Sequence, residues 1–120
     1  MKVNQLEMKV IDRFLKDSTL PSLAKSQIDF DQVDVTDRDY TGAGFFTEFE
    51  RSEALRIFEK GTSMRGGRVG ARLNSDRRET GYVFYVDDGY LTTLEGYTYG
   101  DDEWPKEVTD IEIYEVELRK

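Results

Sequence analysis

Two periodicities divide the chain. Through residue 15, apolar side chains recur at three- and four-residue spacing: Val3, Leu6, Val10, Ile11, Phe14 and Leu15. That spacing lays them along one stripe of an α-helix. Asn4 and Glu7 stand at capping-box separation near its start. Asp17-Ser18-Thr19 ends the pattern, and Pro21 suits the first position of a short helical turn through Ile28.

From Gln32 onward the period becomes two. Val33 and Val35 alternate with polar residues, as do Phe45, Thr47 and Phe49. These predict strands over 32–40 and 44–50, joined at Gly42-Ala43-Gly44. Residues 52–59 read as a short helical or irregular link, and 61–67 as a glycine-containing loop. Val69, Ala71 and Leu73 share one strand face. Residues 74–80 read as a polar loop before a strand at 82–86. Asp87-Asp88-Gly89 is a hairpin signal, with the returning strand over 90–99. An acidic loop, 100–106, is closed by Trp104-Pro105. A last strand is expected over 108–118. Its apolar phase slips after Ile113, which predicts a bulge or burial on both faces. The sum is an α+β fold: an N-terminal helix packed on a curved antiparallel sheet of five or six strands. With 120 residues and no linker or repeat, a single domain over 1–120 is expected.

Composition removes several classes of chemistry. There is no Cys and no His. That excludes disulfides, a thiolate nucleophile and a histidine-based triad, and it leaves zinc only carboxylates to bind. The net charge is −8, which opposes nucleic acid and favours a basic protein partner or simple solubility. No stretch approaches the roughly 18 apolar residues of a membrane span, and the first residues do not resemble a signal peptide. A cytoplasmic location is therefore expected. Residues 61–68 have phosphate-loop glycines without the Lys-Ser/Thr ending, and 42–47 lacks the helix a dinucleotide site needs. Asp29, Asp31 and Asp34 lack the sharp-turn glycine of a calcium loop, and Asp101-Asp102-Glu103 reads as a solvated acidic loop. No metal or cofactor is expected.

Carboxylate and aromatic chemistry remains. Glu95 interrupts an otherwise apolar strand, and alternation gives it Leu91, Thr93, Tyr97 and Tyr99 as face-mates. A carboxylate among tyrosines is suited to a raised pKa, to a ligand hydroxyl, or to a cross-strand ion pair with Arg38 or Arg72. Arg38 adjoins the first glycine turn beside Tyr40, in a segment dense in charge. Glu95, Arg38, Tyr40, Tyr97, Tyr99 and Trp104 are thus the candidate binding residues. Gly42, Gly44 and Gly96 read as structural, required by a turn, a bulge or a ring packed over the backbone.

The segments Tyr40-Thr41-Gly42-Ala43-Gly44-Phe45-Phe46-Thr47 and Leu94-Glu95-Gly96-Tyr97-Thr98-Tyr99, the latter running on to Trp104-Pro105, resemble those of a group of small bacterial proteins. No activity attaches to that group, so the resemblance carries over no catalytic residue. Size and acidity are also similar to those of immunity proteins that inhibit toxins. Two functions are therefore expected as alternatives. One is a non-enzymatic module that binds a protein, with a basic toxin as the example and a homodimer through the last strand as a further option. The other is a ligand-binding or enzymatic domain with a carboxylate–aromatic pocket on the sheet face.

Overall fold

The computed structural model describes residues 1–17, 19–20 and 27–116. The helical period becomes helix α1, Gln5–Phe14. Asn4 caps it: its side chain accepts from the Glu7 N–H, and the Glu7 carboxylate accepts from the Asn4 N–H, so the expected capping box is present. Leu6, Glu7, Val10, Ile11 and Phe14 form the buried stripe. Of the helical turn expected from Pro21 through Ile28, residues 21–26 lie outside those described, and Gln27 and Ile28 are not helical.

The alternating segments become strands β1 (Val35–Tyr40), β2 (Gly44–Phe49), β3 (Met64–Gly66), β4 (Val69–Leu73), β5 (Arg78–Asp87), β6 (Tyr90–Thr98) and β7 (Ile111–Glu115). All pairings are antiparallel, in the order β1-β2-β6-β5-β4-β7, and β3 also pairs with β5. Among the described residues the sheet has seven strands, where five or six are expected from the sequence. The difference is β3, which lies where a loop is predicted. Gly66 and Gly67 adopt φ of +151° and +123°. They break the ladder along one side of β5 into two pieces, so β3 pairs with residues 84–86 and β4 with residues 78–81. Residues 53–55 form a single 3-10 turn, as the irregular link suggests.

One face of the sheet meets α1. Phe45, Phe49, Val69, Ala71, Leu73, Tyr82, Phe84, Leu91 and Leu94 are buried there. Phe14 stacks on Phe84 with ring centroids 4.1 Å apart, and it meets the edge of Phe58 at 6.3 Å. Leu55, Ile57 and Phe58 cap the end of this core from the irregular segment, whose Ile57 and Phe58 N–H groups both donate to the Gly89 carbonyl.

Two details differ from simple alternation. A register shift between Tyr85 and Val86 leaves Thr92 without an opposite residue on β5. That bulge turns Leu91 into the core, so it is not a face-mate of Glu95. In β7 the pairing with β4 runs unshifted from Ile111 to Glu115. The slip in its apolar phase therefore reflects partial burial on both faces rather than a bulge. β7 and β1 are the two ends of the strand order. Residues 117–118 of the expected last strand lie outside those described. Among the described residues no helix is long and apolar enough to cross a membrane.

Candidate functional site

The candidate residues from the sequence separate onto opposite sides of the sheet. Arg38 lies opposite Thr47 on the helix side. It donates from Nε to Glu7 Oε2 at 2.9 Å and from a terminal nitrogen to Oε1 at 2.7 Å. The Thr47 hydroxyl donates to the same carboxylate. Glu7 is 0% exposed. A buried carboxylate needs such partners, because stripping its water costs several kcal/mol. The bonds to Glu7 hold the Arg38 guanidinium above its ordinary pKa. This cluster ties α1 to β1 and β2. Its carboxylate is fully occupied, and Arg38 does not meet Glu95.

Glu95, Tyr97 and Tyr99 point to the other face, on which no described helix packs. Glu95 accepts from the Tyr85 hydroxyl at 2.7 Å. Its expected partners are engaged elsewhere: Arg38 with Glu7, and Arg72 with Glu79 at 3.4 Å and Glu112 at 3.3 Å. The hydrogen bond to Glu95, followed by burial, raises the pKa of Tyr85. Tyr85 is thus a donor held in its neutral form, which orients the carboxylate.

The register assembles a cross-strand row on this face: Gly44, Tyr97, Gly81, Gly70 and Tyr114. A Cβ on Gly81 would stand 2.6 Å from Cζ and Oη of Tyr97, and one on Gly70 would stand 2.6 Å from Cζ of Tyr114. Real Cβ atoms do not approach so closely, so the two rings lie across bare backbone. Tyr99 packs edge-on to Tyr97 at 5.6 Å and is 42% exposed. Burial, together with neighbouring Tyr97 and Tyr114, pushes its pKa up to about 12. Arg72 stacks over Tyr114 at 4.4 Å, and Arg65 over Tyr85 at 5.5 Å. Phe46 and Val83 flank Glu95 in the adjoining row and are half-buried. Around this aromatic centre stand Asp37, Asp39, Glu48, Glu79 and Glu112.

Tyr40 and Trp104 belong to a different place, a groove on the helix side beside the start of α1. The Trp104 N–H donates to the Gly42 carbonyl at 2.7 Å, which ties the acidic loop to the β1–β2 turn. The Trp104 ring stands edge-on to Phe45 at 5.0 Å and to Tyr82 at 6.5 Å. Gly44 and Gly96 serve the same packing. A Cβ on Gly96 would sit 2.3 Å from the Phe45 ring, and one on Gly44 would sit 2.0 Å from the Gly96 carbonyl oxygen. Both are structural, through close approach, and Gly42 is so through its φ of +85° in the turn.

Glu7, expected only as a capping residue, and Phe46, Tyr85 and Tyr114 are not among the site residues that the sequence pattern singles out. Glu7 carries a signal in its spacing, since it lies four residues before Ile11 and seven before Phe14 on the apolar stripe. Tyr85 and Phe46 carry only ordinary strand alternation. Among the described residues no three carboxylates gather as a metal would require. Compared with models of known families, with curated proteins and with solved structures, the chain matches none.

Proposed function

We propose that the chain is a protein-interaction module that receives a basic partner on the face of the sheet opposite α1. The observation that supports this reading is the make-up of that face. Tyr97, Tyr99, Tyr114, Tyr85 and Phe46 give large rigid contact area, which is what interface centres favour. Carboxylates surround them, and the arginines on the face, Arg65 and Arg72, stack on its tyrosines. Glu79 and Glu112 are taken up by Arg72 and Arg77, which leaves Asp37, Asp39, Glu48 and Glu95 without an ion pair among the described residues. The resulting charge steers a cationic surface toward the sheet. A basic toxin held by an immunity-type inhibitor is one partner of this chemistry. Glu95 acts here as an oriented acceptor for a Lys or Arg side chain, because Tyr85 fixes it and no guanidinium among the described residues occupies it.

The test is capture of proteins from the source cells at low and high salt, with wild type beside Glu48→Lys/Glu95→Lys. The expected result is a basic protein retained by wild type at low salt, released as salt rises, and lost in the double variant. Retention of the same protein by the variant, or partners indifferent to salt, would overturn the reading.

A further inference from the structure

We propose that the groove between the start of α1 and the loop before β7 is a binding site for a small carboxylate with an apolar, ring-bearing body. The site lies on the opposite side of the sheet from the face discussed above and is independent of it. Its volume is about 670 Å³, within the range of ligand cavities. Phe45 and Trp104 form an aromatic wall, and Leu6, Val108 and Ile111 an aliphatic one.

The walls are held in place without a ligand. Trp104 is fixed through Gly42, as described. Asn74 donates to the Glu107 carbonyl and accepts from the Thr109 N–H, both at 2.7 Å. Arg78 donates to the Glu103 carbonyl at 2.6 Å. A loop pinned at several points presents a preformed surface, and preformed surfaces spend less ordering entropy on binding.

Charge selects the ligand. The chain has 25 Asp and Glu residues, yet among the described residues none lines this groove. Its one charged lining residue is Lys106, which makes no ion pair among the described residues. An apolar cleft with a single ammonium at its mouth fits a ring-bearing body whose carboxylate reaches Lys106.

The chain has one tryptophan, and Trp104 lines the groove, so its emission reports binding directly. The probes are 4-phenylbutyrate, 4-phenylbutanol and 4-phenylbutylamine, which share a body and differ in charge. Saturable changes in Trp104 emission are expected, with the carboxylate tightest and the amine weakest. Lys106→Met should weaken the carboxylate by roughly threefold to fivefold, the strength of an exposed ion pair, and leave the alcohol unchanged. Gln5→Phe, at an exposed position on the rim, should weaken all three by filling the groove. Lack of saturable change with any probe would overturn the proposal. So would an amine that binds as tightly as the carboxylate, or a preference for the carboxylate that survives Lys106→Met.

Discussion

On the helix side of the sheet, Phe14, Phe58 and Phe84 interlock at 0% exposure. On the other side, Tyr97 and Tyr114 lie across glycine backbone and remain half-exposed. Both faces are rich in rings, but the rings meet different neighbours. Phe84 is enclosed by side chains from α1, the irregular segment and its own sheet. Tyr97 has backbone beneath it and no described helix above it. Polar groups differ in the same way. Glu7 on the covered side is saturated by Arg38, Thr47 and the Asn4 N–H. Glu95 on the open side is oriented by Tyr85 and keeps acceptor capacity toward solvent. The covered face is built to hold the chain together. The open face presents aromatic area and carboxylates held in position.

Substitutions on the two faces should therefore differ in kind. The largest loss is expected at Phe84→Ala, about 3–5 kcal/mol of unfolding free energy, because the cavity beneath Phe14 cannot collapse fully. Urea denaturation measures it, and a loss under about 1 kcal/mol would remove the distinction between the faces. Next is Arg38→Met. It leaves the Glu7 carboxylate buried with only its neutral donors, which should cost about 3 kcal/mol. A variant as stable as wild type at neutral pH would show that Glu7 is not the buried anion described.

Gly81→Ala should be milder, about 1–3 kcal/mol, because the new methyl lifts the Tyr97 ring from the backbone. The tyrosine region of the near-ultraviolet circular dichroism should change with it. An unchanged spectrum would mean that the ring does not lie over the glycine.

Alkaline pH acts on both faces through tyrosine. Burial raises Tyr82 on the covered side, and burial with neighbouring rings pushes Tyr99 on the open side up to about 12. In the unfolded chain these phenols ionise near 10. The folded state keeps its protons longer, so the stability this contributes is intact below pH 10. It is lost as pH rises from 10 through about 12. Absorbance at 295 nm followed beside the denaturation midpoint checks this. Complete ionisation near pH 10 with the fold intact would contradict it.

Much of the covered face is readable from the sequence. The stripe through Leu6, Val10, Ile11 and Phe14 gives α1, and Asn4 with Glu7 gives its cap. Strand alternation gives β2, β6 and the 82–86 part of β5, whose first residues, from Arg78, are expected as loop. What fails depends on contacts distant along the chain. Arg38 meets Glu7 because β1 pairs with β2 beneath the start of the helix, and no local pattern carries that. Leu91 is assigned to the wrong face because a bulge at Thr92 leaves no composition signal. The glycine row is invisible without register, since Gly44, Gly70 and Gly81 come from three strands. Of the candidate residues, Glu95, Tyr97 and Tyr99 share a face as alternation predicts. Tyr40 and Trp104 join through the turn at Gly42, in a groove that irregular backbone builds.

The proposed interface is the face opposite α1. Its most direct test places the photo-cross-linking residue p-benzoyl-L-phenylalanine at position 99, and separately at exposed position 9 on the outer side of α1, in the source cells. Cross-links to a basic protein are expected from position 99 and none from position 9. Identical products from the two positions, or none from position 99, would contradict it.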